Sequence, residues 1–195
     1  MLYQVAHYIQ NKIPFLWQWI EDINSFGFGM LYGKRLSHLP ETFETDELSF
    51  TIRRAAVQDV DAMVTFFTGQ PEQSYTYFRP HAFDAKTLRT LIQRKSMIMY
   101  LVWNTKHEVI GYFFLRCFCM GKGYRGYIVD YRHYRQGIGL RMGKALNRIA
   151  MTLQIPTFKT ISPSNISSME LAKKVCTIST IGKTTNGDLH FQCLL

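Results

Sequence analysis

The stretch "GYIVDYRHYRQGIGLRMGKALNRIAMTL", residues 126 to 153, constrains the fold more than any other. Tyr127, Ile128 and Val129 belong to an apolar, β-branched run that suits a strand, whereas the residues from Gly139 onward repeat apolar side chains at helical spacing. Between the two the chain must bend sharply, and Gly137 and Gly139 supply backbone conformations closed to other residues. A helix that starts from such a turn leaves its first N–H groups without partners and gathers partial positive charge there. Arg135, Arg141 and Lys144 add to that potential, so a pyrophosphate is the natural ligand. Met142 stands where a dinucleotide-binding G-x-G-x-x-G loop needs its third glycine, Gly143 comes one residue late, and no G-x-x-x-x-G-K-[ST] occurs. Dinucleotide and nucleotide-hydrolase readings both weaken.

The rest of the chain sets this turn in a mixed sheet. "FTIRRA" reads as a strand and "VQDVDAMVTFF" as a helix; an aromatic loop, "TGQPEQSYTYFRPHAF", then leads to Asp84, a good N-cap for "AKTLRTLIQRK". "MIMYLVW" and "EVIGYFFLRCFCM" form a hairpin over "NTKH", and beyond the glycine turn come the strand "TFKTIS", the helix "NISSMELAKKV" and two strands turning at Asn186-Gly187. The order is strand, two helices, three strands, helix, strand, helix, two strands. It implies an α/β fold, a mixed sheet with helices on its faces.

Residues 1–48 differ in texture and read as a helical appendage and linker, before a main domain of residues 49–195. Ile9, Ile13, Leu16, Ile20 and Ile23 make one apolar stripe, with a helix started or interrupted near Pro14, and "SHLPETFETDELS" reads as the linker. The stripe is expected to pack on the main domain or on another copy. Trp17, Trp19 and the nearby lysines keep a peripheral membrane contact through residues 1–40 open beside self-association. A net charge of +9 favours an anionic partner, but the basic residues are scattered apart from the glycine loop, so no nucleic acid is expected. The four cysteines lack zinc-site spacing and the density of a disulfide scaffold, which predicts reduced thiols and no metal. "MLYQVAHYIQNK" lacks the features of a secretion signal, and a cytoplasmic protein is expected.

Three segments in order resemble the GNAT superfamily of acyl-CoA-dependent N-acetyltransferases: "FTIRRAAVQDVDAMVTFF" its opening strand and helix, "VDYRHYRQGIG" its [QR]-x-x-G-x-[GA] motif, and "NISSMELAKKVCT" its N-x-x-[AS]-x-x-L segment. The resemblance covers about residues 50 to 195. It implies acetyl-CoA as cosubstrate, its pantetheine arm paired with the backbone of the strand Tyr127, Ile128 and Val129. Its pyrophosphate would rest on the amides of Arg135, Gln136, Gly137, Ile138, Gly139 and Leu140, and Asn165 would contact the cofactor. Tyr134 departs from the [QR] position. Ala172 replaces the tyrosine many members use as general acid, and Thr160 stands where some carry a glutamate base.

The implied function is acetyl transfer to the amine of a small molecule, such as an amino sugar stacked on Tyr75, Tyr77 or Phe78; protein N-acetylation and a catalytically silent acyl-CoA binder are the alternatives. For the catalytic proton transfer the candidates are Asp130, at the end of the cofactor strand, and His81, in the aromatic loop, with His133 close to the turn but suited to facing solvent. Cys119 and Cys176 are expected to be core thiols.

Overall fold

The computed structural model describes residues 14–44 and 49–194; Ile9 and Ile13 of the apolar stripe lie outside them. Eight strands form one sheet: β1 (Thr42–Phe43), β2 (Phe50–Arg54), β3 (Met97–Asn104), β4 (Val109–Phe118), β5 (Lys122–Val129), β6 (Thr157–Ile161), β7 (Thr177–Lys183) and β8 (Leu189–Leu194). Their spatial order is β1-β2-β3-β4-β5-β6-β8-β7, and every pairing is antiparallel except that of β5 with β6. β3 and β4 are central and almost wholly buried, which explains why "MIMYLVW" and "VIGYFFL" run apolar without alternation.

Helices α2 (Val60–Thr68) and α3 (Ala85–Gln93) cover one face, and α1 (Pro14–Leu36), α4 (Ile138–Leu153) and α5 (Ile166–Val175) the other. Asp84 caps α3 as its sequence predicts, accepting from the Thr87 amide at 3.0 Å. The hairpin ending on Asn186-Gly187 also forms, with Gly187 at φ 84°.

Two expectations for the N-terminal segment change. The presumed linker carries β1, whose Phe43 is buried against β2 and joins Phe28, Leu36 and Leu39 in the same core as α4. The second change concerns the stripe: Leu16, Ile20 and Ile23 are 37%, 40% and 66% exposed, and α1 instead turns Phe28 and several polar residues toward the sheet. Asn24 Nδ2 donates to the Cys117 carbonyl and Asn24 Oδ1 accepts from the Cys119 amide, both at 2.9 Å. Glu21 is buried in an ion pair with Arg116, near Arg94, while Ser25 Oγ accepts from the Ser96 amide at 3.5 Å. The reason is local: the end of β4 offers backbone polar groups and a guanidinium, and an apolar helix face would leave them unsatisfied.

Candidate functional site

β5 and β6 pair only at Gly123 with Thr157 and at Tyr124 with Phe158. Beyond those residues β5 continues to Val129 bonded to β4 alone, while β6 bonds to β8. The two strands therefore part, and residues 125–129 present backbone along one edge of a cleft, where an extended ligand can be taken up as an added strand. Tyr127, Ile128 and Val129 lie on that stretch.

At the end of β5 the chain passes through a short turn, Tyr131–His133, and then Arg135 and Gly137, at φ 61° and 77°, into α4. Gly137 is the N-cap and supplies no side-chain bond, no acidic residue lies in the first turn, and the Arg141 amide is bonded to the Gly137 carbonyl at 3.1 Å. The amides of Ile138, Gly139 and Leu140 thus precede the first intrahelical bond and remain available to an anion. A Cβ placed on Gly137 would meet nothing within 4 Å, so the space over the turn is open. Ile138 is buried and anchors the turn; Arg135 and Gln136 are exposed around it. Gly139 serves a different purpose from the one its sequence suggests. It lies inside the helix, and a Cβ there would come within 2.9 Å of Leu171 on α5, so close packing rather than a special dihedral requires glycine.

Asp130 is fully buried, and its carboxylate accepts from Arg132, from the backbone amide at 2.8 Å and from Nε and Nη2 at 3.0 and 2.7 Å. Burial alone would raise its pKa, but the bonds from Arg132, with a contribution from Gln70, outweigh that and hold it below the usual range. Asn165 is the N-cap of α5, its Oδ1 accepting from the Ser168 amide at 3.1 Å.

The cleft also brings together residues that spacing did not single out. On the face under α4 and α5, buried Lys159 of β6 donates to Ser168 Oγ at 2.9 Å and sits 3.7 Å from the centre of the Tyr127 ring. Burial lowers the Lys159 pKa to about 7. Ser168 precedes Ala172 by one helical turn on the same face, so Lys159 and Tyr127 gather beside the position of the absent tyrosine. Deeper in, buried Arg125 donates to Asn147 Oδ1 at 2.8 Å and Thr157 Oγ1 at 2.7 Å. A hydrogen bond from Cys176, helped by Arg125 and Lys159, lowers the Cys193 thiol pKa against its burial. All four cysteines are free, and Cys119 and Cys176 are only partly buried. The one sequence signal for Lys159 was a lysine within the run "TFKTI", at a position where alternation points it inward.

On the opposite face, Thr160 Oγ1 lies 3.1 Å from His190 Nδ1, and the imidazole stacks on Phe158. Burial lowers the His190 pKa, which keeps the ring neutral at pH 7. His81 belongs to this face too. Its Nδ1 donates to the Ala82 carbonyl at 2.8 Å and its Nε2 accepts from the Tyr112 hydroxyl at 2.9 Å, among Phe67, Phe83 and Phe114; burial lowers its pKa. Of the three aromatics expected to stack on an acceptor, Tyr75 and Phe78 pack on the core. Tyr77 stays 50% exposed and donates to Ser164 Oγ at 2.9 Å, which carries the aromatic loop across to the segment before α5. Among the described residues no His, Cys, Asp and Glu group is arranged to hold a metal ion.

No sequence-family description and no curated protein matches the chain. Solved structures do. The ribosomal-protein-S5-alanine acetyltransferase from Vibrio fischeri is 14% identical with a TM-score of 0.65, over 78% of this chain and 94% of that one. The PaiA N-acetyltransferase from Thermoplasma acidophilum, in complex with coenzyme A, is 13% identical with a TM-score of 0.64, over 75% and 99%. A variant of spermidine N-acetyltransferase SpeG from Vibrio cholerae is 13% identical with a TM-score of 0.59, over 76% and 95%. The chain has the GNAT fold: a mixed sheet flanked by helices, as expected from its three motifs.

Proposed function

We propose that this protein transfers an acetyl group from acetyl-CoA to the primary amine of a small molecule. The observation that carries the reading is the parting of β5 and β6 directly beside an uncapped helix start with open space over Gly137. The amides of residues 135–140 hold the pyrophosphate, and the backbone of Tyr127 and Val129 binds the pantetheine arm. When bound, acetyl-CoA supplies an acyl group activated as a thioester. The chain's own residues then manage protons across the cleft. His190, neutral and beside Thr160, accepts the proton of the incoming amine, and Lys159, with a pKa near the working pH, delivers one to the departing sulfur.

His81 and Asp130 receive positioning roles in this reading. Both His81 nitrogens are engaged, so it ties the aromatic loop to β4, and Asp130, held by Arg132, anchors the turn. Tyr77, the exposed ring at the cleft, suits an acceptor with a sugar-like ring, and an amino sugar is the class we favour.

The test is calorimetry with coenzyme A on a folded Gly137→Val variant, whose branched side chain both fills the open space and resists a φ of 77°. A loss of about tenfold or more in affinity is expected, in line with one or two lost amide contacts. Unchanged affinity overturns the site. An amine screen for acetyl-CoA consumption tests the chemistry; tight binding with no amine consumed replaces transfer by binding alone.

A further inference from the structure

Helix α1 is apolar on its outer side as well as at Phe28 and Leu36, which enter the core. Glu21, Asn24 and Ser25 bind the sheet beside Phe28, and Trp19, Ile23, Phe26 and Met30 stand in one row on the solvent side, each between 66% and 71% exposed. Met120, at the turn between β4 and β5, is a further 78% exposed and lies next to Gly121, which packs against the Tyr32 hydroxyl of α1. Soluble domains rarely leave so continuous an apolar row uncovered.

The charges around the row say what covers it. Lys34 ends the same face of the helix, Lys95 packs along α1 at Gly29, and Lys122 follows the Met120 turn; all three are exposed. The carboxylates of α1 are already committed, Glu21 to Arg116 and Asp22 to Arg94 at 2.8 Å. The rim is therefore basic around an apolar centre that carries a tryptophan and a phenylalanine, on a protein of net charge +9. A second copy would bring an equally basic rim to a shared apolar centre, which costs association energy. An anionic bilayer offers phosphates to the lysines and acyl chains to the rings. No described helix is long and apolar enough to cross a membrane, so such a contact lies on the surface. We propose that the outer face of α1 docks this protein peripherally on anionic lipid membranes. The docking is independent of the acetyl-transfer reading.

Flotation of the full-length protein with vesicles of phosphatidylcholine plus phosphatidylserine, against phosphatidylcholine alone, is the test. Wild-type protein should float with the anionic vesicles and weaken at high salt. The double variant Ile23→Ser, Phe26→Ser, folded by circular dichroism, should lose about tenfold or more in partitioning, since two buried apolar side chains are removed from the contact. Lys34→Glu should lose a smaller, salt-dependent part. Sedimentation without lipid reads the alternative. A dimer that the double variant dissolves, with no vesicle binding by the wild type, overturns the proposal in favour of self-association. Absence of both flotation and dimer overturns it as well.

Discussion

Helices α1 and α4 pack side by side on one face of the sheet, and they use their apolar residues in opposite ways. In α4, Met142, Leu146, Ile149 and Leu153 are fully buried, and the apolar side of the helix is its core side. In α1, Phe28 and Leu36 enter that core and Tyr32 packs against it, but Asn24, Ser25 and Glu21 share the contact, and the apolar row looks outward. A periodic apolar stripe identifies a face that avoids water. It does not identify the surface that face meets, because whatever lies beneath a helix selects which side turns in.

The contrast can be broken most severely in α4. Leu146→Ala should destabilise by about 3 kcal/mol through lost burial and a residual cavity, lowering the melting temperature by roughly 10 °C in a calorimetric scan. A shift below about 2 °C would mean that α4 is not packed as described. Next comes the polar side of α1. Asn24→Leu removes both hydrogen bonds to the end of β4 and leaves the Cys117 carbonyl and Cys119 amide without their partner, at a cost of about 2 kcal/mol. If Asn24→Leu were instead stabilising, helix α1 would prefer an apolar inner face and the inverted packing would be wrong.

Lys159 sharpens the comparison from inside the cleft. Its folded pKa of about 7 lies below the ordinary lysine range, so between pH 7 and about 10.4 the unfolded chain binds a proton that the folded chain does not. Stability from this group therefore rises as pH rises through that window and is lowest below pH 7. Lys159→Met should raise the melting temperature by a few degrees at pH 6 and by progressively less toward pH 10; equal gains at both ends would show that the lysine is not buried as a strained cation. The smallest effect belongs to the outer row of α1. Ile23→Ser alone should change stability by less than about 0.5 kcal/mol, since the side chain leaves little contact on folding.

Much of the geometry around the glycine turn was legible in sequence because its parts are local. A strand, a turn and a helix within residues 126–153 specify their own geometry, and Gly137 announces a positive φ by being glycine. The contacts across the cleft were not legible. Lys159 and Ser168 meet across nine positions and two elements, Thr160 and His190 across thirty, and Tyr77 and Ser164 across eighty-seven. Nothing in "YFRPHAF" says that both nitrogens of His81 will be occupied, and nothing next to Asp130 says that Arg132 will fold back onto it.

By itself the sequence determined the element order from residue 50 onward and the glycine turn, since apolar periodicity, capping residues and turn chemistry act over a few neighbouring residues. Only the tertiary structure decided which face of α1 turns inward, that β1 extends the sheet, and that Lys159 loses its solvent. Those outcomes depend on what stands opposite each residue: a polar strand end, an unpaired edge at β2, and an aromatic ring over an ammonium group. Desolvation and hydrogen-bond satisfaction are properties of the assembled environment, and no pattern along the chain records them before the elements meet.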